Sequence, residues 1–77
     1  MTFDVILLNP PIRIGKQKVF QLYADALHHL KPSGTLYLVI GKKQGAKSHE
    51  KHLREAGLSL ETLERKKGYT VLKVVLN

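Results

Sequence analysis

Phe3-Asp4-Val5-Ile6-Leu7-Leu8-Asn9-Pro10-Pro11-Ile12 is the stretch that decides how the rest of the chain is read. Its apolar run is too short for a helix and ends at two prolines, each of which fixes φ and lacks a backbone donor. The residue before a proline is pushed out of the α region, so Asn9 is held extended. The stretch therefore predicts a buried strand that delivers the Asn9 carboxamide to a site at its C-terminal end. By itself, Asn-Pro-Pro is also a plain way to end a strand.

Outward from that strand, Gln17 to Leu30 places Phe20, Tyr23, Leu27 and Leu30 at helical spacing, a pattern with one buried face. Lys31-Pro32-Ser33-Gly34 reads as the turn that closes this helix. Thr35 to Ile40 follows as a second strand, apolar on both faces like a central parallel strand. Gly45-Ala46-Lys47-Ser48 opens a short helix, with Ser48 as the expected N-cap, a thin apolar face of Leu53 and Ala56, and Gly57 at the C-terminal end. Leu58 to Arg65 alternates imperfectly and Tyr69 to Leu76 alternates well, with Lys66-Lys67-Gly68 as a hairpin turn between them.

Strand, helix, strand, helix and terminal hairpin make an α/β chain whose two crossovers put both helices on one face of the sheet. The other face is then bare, although Val5 to Leu8 and Leu36 to Ile40 are apolar on both sides and parallel sheets are normally covered twice. The first strand is also an unpaired apolar edge. We therefore expect residues 1–77 to form a single partial domain, half of a larger sheet. A chain of 77 residues buries only a modest core, so a partner would stabilise it.

Thirteen Lys and Arg against six Asp and Glu give a formal charge of +7 and a pI near 9.9. Polyanions are the natural partners of such a surface, although charge alone gives encounter rather than specificity. Without cysteine, disulfides and thiolate metal sites are excluded. No apolar run approaches the roughly 20 residues of a membrane span and no secretory signal is visible, so we expect a soluble, cytoplasmic chain without membrane contact.

Several motifs in order carry a family resemblance over nearly the whole chain: Phe3 to Arg13 followed by Gly15-Lys16, Leu30 to Gly34, Val39 to Ala46, and Lys67-Gly68-Tyr69. Together they resemble the C-terminal half of the methyltransferase small-domain family, class I S-adenosylmethionine-dependent enzymes that include ribosomal RNA guanine-N2 methyltransferases. The resemblance implies strands four to seven of a Rossmann-like sheet whose last strand is antiparallel. It gives Asn9 and Pro10 the acceptor role: the Asn side-chain oxygen and the carbonyl beside the first proline take hydrogen bonds from an exocyclic amine, while Pro11 keeps the loop rigid. Many members have an aromatic next; here Ile12 offers apolar contact without stacking.

The family's glycine-rich cofactor loop has no counterpart, because Gly41-Lys42-Lys43-Gln44-Gly45 has a different spacing and position. The chain alone is thus expected to bind S-adenosylmethionine poorly or not at all and not to transfer methyl groups. A complementing N-terminal half chain or a homo-oligomer would complete it. Arg13, Lys16 and Lys18 follow the first strand and Lys42, Lys43 and Lys47 the second, at the strand ends where open α/β sheets bind ligands; they are candidate contacts to ribosomal RNA. Arg65, Lys66 and Lys67 read as ordinary turn charge. His49-x-x-His52 lacks a third ligand, so we expect surface histidines and no metal. Asp4 and Asp25 have no identifiable catalytic partner, and Phe20, Tyr23, Tyr37 and Tyr69 read as core or interface. The rival function is an RNA-binding or protein-interaction module that keeps this fold without the chemistry.

Overall fold

A computed structural model of the chain describes residues 2–10, 15–41 and 45–76. Its elements are β1 (Phe3–Leu8), α1 (Lys16–His28), β2 (Leu30–Gly41), α2 (Ala46–Glu55), β3 (Ser59–Arg65) and β4 (Tyr69–Val75). They form an α/β fold around one mixed sheet of order β1-β2-β4-β3. β1 and β2 are parallel, whereas β4 lies antiparallel to both of its neighbours, which leaves β3 parallel to β2. The last strand inserts between β2 and β3, and its antiparallel direction is consistent with a partial Rossmann-like methyltransferase sheet.

Burial alternates along the two central strands. Leu36, Leu38 and Ile40 of β2 and Leu72 and Val74 of β4 are fully buried on one face, where Val19 and Tyr23 of α1 and Leu53 of α2 join them. Both helices therefore cover the same face, as the crossover argument requires. On the other face Val5 and Leu7 of β1 are 60% and 71% exposed, and Tyr37, Val39, Val71 and Val75 are only half-buried. β1 forms one edge of the sheet and β3 the other.

Several local expectations need correction. α1 ends at His28, and Leu30 belongs to β2 instead of the helix; the His29 ring caps the end through Nδ1 on the Asp25 carbonyl oxygen at 2.8 Å. Residues 31–34 are not a free turn but an outward excursion of β2: the pairing jumps from Phe3 opposite Leu30 to Val5 opposite Thr35. Pro32 is tolerated there because an irregular strand position needs no ladder donor. Ser48 does not cap α2. Gly45 holds the N-cap position without a side-chain bond, and the Ser48 amide is already inside the first turn, bonded to the Gly45 carbonyl at 3.0 Å.

The other end of α2 is closed as expected. Gly57, at φ 89°, donates to the Arg54 carbonyl at 3.0 Å and Leu58 to the Leu53 carbonyl at 3.2 Å, a Schellman closure that requires a left-handed residue at Gly57. The imperfect alternation of β3 also has a cause. Its pairing with β4 slips between Thr62 and Glu64, so the strand bulges at Leu63, whose side chain is exposed.

The thin apolar face of α2 is completed by two polar residues. His49 is buried, with its Nδ1 2.6 Å from the Tyr23 hydroxyl, and Glu50 is buried against Arg65 of β3, whose Nη2 lies 3.4 and 3.3 Å from its two oxygens. His52 stacks on Phe20 with ring centroids 3.8 Å apart. The two histidines are thus packing residues between the helices, in contrast to the surface pair expected. Among the described residues no cluster of three metal-ligating side chains occurs, and no helix is long and apolar enough to cross a membrane.

Candidate functional site at the C-terminal edge of the sheet

Because β1, β2 and β3 run the same way, their C-terminal ends share one edge of the sheet. β1 brings Asn9 and Pro10 there, immediately beyond Leu8, which pairs with Leu38. Asn9 is exposed while Pro10 beside it is buried, so the strand end is anchored next to a solvent-accessible asparagine. The alternation of β1 turns Leu7 to the bare face and Leu8 toward the helices; continued one residue, it puts Asn9 on the bare side. Pro11, Ile12 and Arg13 lie outside the described residues, as do Lys42 and Lys43.

The remaining candidate cations reach the same edge from two helices. Lys16 and Lys18 are exposed in the first turn of α1, and Lys47 is exposed in the first turn of α2. Neither helix has an acidic residue in its first turn. Cations at a helix N-terminus oppose the macrodipole, so stability does not select this arrangement. It leaves both helix starts attractive to anions.

The turn between β3 and β4, read from sequence as ordinary charge, arrives at this edge as well. Gly41 at the end of β2 pairs with Tyr69, and Arg65 pairs with Thr70, so the turn carrying Lys66 and Lys67 lies at this edge. Lys66 pairs with Glu64 at 3.6 Å, and the Tyr69 hydroxyl donates to the other Glu64 oxygen at 3.2 Å, which raises the pKa of the phenol. Arg65 turns inward to Glu50 and Thr70. The signal for this placement was present: an antiparallel last strand necessarily puts its preceding turn at the C-terminal ends of the parallel strands.

The candidate acids give no catalytic partner. Asp4 sits near the opposite end of β1, 3.3 Å from Lys31 in a solvent-exposed pair of the kind that adds little stability.

The described residues do not fit S-adenosylmethionine. No glycine-rich strand-to-helix turn occurs among them, and the carboxylates near this edge, Glu50 and Glu64, are already engaged by Arg65 and by Tyr69 with Lys66. Calorimetric titration of S-adenosylmethionine into the 77-residue chain should give no binding heat up to millimolar concentrations. Micromolar binding would contradict this assignment.

Residues 1–73 match the family model of the methyltransferase small domain. The chain is 46% identical over 72 residues to the uncharacterized protein YbxB of Bacillus subtilis (strain 168), an alignment covering 94% of this chain. It spans only 36% of the length of that relative. With a match over almost its whole length, the chain belongs to the methyltransferase small domain family.

Proposed function

We propose that this chain is the acceptor-binding half of an S-adenosylmethionine-dependent RNA methyltransferase of the guanine-N2 type. The observation that carries the reading is Asn9, exposed at the C-terminal end of an edge strand whose next residue, Pro10, is buried. The Asn9 side-chain oxygen and the Pro10 carbonyl accept hydrogen bonds from the exocyclic amine and fix the direction of its lone pair. The methyl group comes from a sulfonium already activated for transfer, so orientation is the contribution asked of these residues. The cations of the strand-end edge hold the RNA backbone, a contact that sets affinity and register but not base identity.

The cofactor side belongs to the rest of the domain. The bare face bearing Val5, Leu7, Tyr37 and Val39, together with the open β1 edge, suits further strands and covering helices, and the chain corresponds to 36% of its relative. Light scattering of the chain alone distinguishes this occupant from a second copy, which would give a concentration-dependent dimer.

The acceptor role is testable without the cofactor. A short single-stranded RNA with one guanosine is compared by fluorescence anisotropy with the same RNA carrying inosine, which lacks only the exocyclic amine. The guanosine RNA should bind about tenfold more tightly, as two modest hydrogen bonds require, and Asn9→Ala should erase the preference. Equal affinities would contradict the acceptor role. Salt-sensitive binding untouched by Asn9→Ala would favour the rival RNA-binding module.

A further inference from the structure

A groove of about 340 Å³ runs along α2 beside the end of β3, walled by Lys47, Glu50, Arg54 and Arg65. All four are charged, three cations against one carboxylate, so the groove suits an anion and offers nothing to an apolar ligand. Residues 47, 50 and 54 follow helical spacing and share one face of α2. Arg65 joins them from β3 because it pairs with Thr70, which is buried on the helix-covered side of the sheet.

Exposed cations on a helix are ordinary surface charge, and what sets this groove apart is the way Arg65 is held. Its Nη2 donates to both oxygens of Glu50 at 3.4 and 3.3 Å, and its Nη1 donates to the Thr70 hydroxyl oxygen at 3.5 Å. The Glu50 side chain is only 8% exposed, whereas that of Arg65 is 48% exposed. A buried carboxylate thus fixes the guanidinium at the groove wall without exhausting its five N–H donors. A planar fork held in place is suited to taking a phosphate oxygen.

The same contact leaves a neighbouring cation over. Glu50 and Arg54 are four residues apart, the spacing at which an acid and a base pair along a helix, but the Glu50 carboxylate is engaged by Arg65. Lys47 and Arg54 are exposed and stand in no ion pair among the described residues. They lie two turns apart on α2, about 10 Å along its axis, a length over which one nucleic-acid strand presents about three phosphates.

We propose that this groove is a track for the RNA backbone, in which Arg65 takes one phosphate and Lys47 and Arg54 take its neighbours. The proposal rests on the RNA reading above and deepens it: the strand whose guanosine reaches Asn9 continues past the start of α2 and along the helix-covered side. Phosphate contacts supply affinity and register, so selection of the amine stays with Asn9.

The test uses the 77-residue chain and the same labelled single-stranded RNA, titrated across a salt series. Lys47→Gln with Arg54→Gln should weaken binding about tenfold at low salt and reduce the slope of log affinity against log salt by about 1.4, the value for two phosphate contacts to a single strand. Lys31→Gln, which removes a cation near the opposite end of β1, should leave the slope unchanged. The Arg65 Nε resonance should move as RNA saturates the chain, and the double variant should keep its preference for guanosine over inosine. An unchanged slope in the double variant, or an equal loss per charge in Lys31→Gln, overturns the track, and a fixed Arg65 resonance overturns the part given to Arg65. Displacement of the RNA by a poly-glutamate peptide as readily as by unlabelled RNA of equal charge overturns the assignment to RNA. In the first two cases a preference that still depends on Asn9 leaves the acceptor reading standing. Absence of RNA binding by the unaltered chain at low salt overturns both.

Discussion

Alanine in place of His49 is expected to lower the unfolding free energy of the chain by about 2 to 5 kcal/mol, measured by urea denaturation at neutral pH. The ring is 1% exposed and fills the space between the two helices, edge-on to Tyr23 at 5.6 Å and to Phe20 at 5.3 Å. Truncation leaves a cavity and also strips the buried Tyr23 hydroxyl of its partner at 2.6 Å. In so small a domain that loss is a large share of the total stability. Tyr23→Phe keeps the volume and removes only the hydroxyl, so about 1 to 3 kcal/mol is expected, the penalty of leaving one buried group unpaired. The same pair produces an alkaline dependence. Burial pushes the Tyr23 phenol well above its ordinary pKa of 10, so the folded chain keeps a proton that the unfolded chain loses. Stability should therefore fall as pH rises above about 10, by as much as about 1.4 kcal/mol per pH unit, and Tyr23→Phe should remove that component of the slope. An unchanged slope in Tyr23→Phe would contradict the buried placement.

Valine at Gly34 should cost about 1 to 3 kcal/mol and also weaken recognition at Asn9. A Cβ at this position would sit 2.7 Å from Leu30 Cδ1 and 2.9 Å from the Asp4 carbonyl oxygen. The first contact is a buried core side chain and the second is the backbone of β1, so neither can yield as a flexible chain end would. β1 is an edge strand whose only sheet partner among the described residues is β2, and the excursion through residues 31–34 is where that pairing changes register. Pushing on Asp4 therefore displaces the strand that ends in Asn9. Urea denaturation and the guanosine-to-inosine preference should both decline in Gly34→Val. Full retention of both would show that the close approach of β2 to Asp4 does not position β1.

Most of the architecture was legible because hydrophobic period and turn chemistry agreed: Val5 to Leu8 and Leu36 to Ile40 as strands, Phe20 and Tyr23 on one helical face, Gly57 as the helix stop. The bare face followed from two crossovers on one side. Less legible was the stripe Ala46, His49, Glu50 and Leu53, which has helical spacing but includes polar side chains that become buried only because Tyr23 and Arg65 meet them from distant parts of the chain. Local pattern does not reveal such partners. The Ser48 cap failed for a local reason, since the helix begins at Ala46 and consumes the amides that Ser48 would have capped. At the site, Asn9 and Pro10 were marked by sequence, but Tyr69 and the Lys66-Lys67 turn were assigned to packing and solvent. Their place at the strand-end edge follows from an antiparallel β4, whose preceding turn must lie at the C-terminal ends of the parallel strands.

The most direct measurement is the side-chain amide resonance of Asn9, followed by ¹⁵N-edited NMR while the two RNAs are titrated into the chain. An acceptor contact to the exocyclic amine predicts that guanosine RNA shifts this resonance strongly and that inosine RNA, at matched saturation, shifts it far less. An Asn9 resonance that stays fixed while the guanosine RNA saturates the chain would contradict the acceptor role.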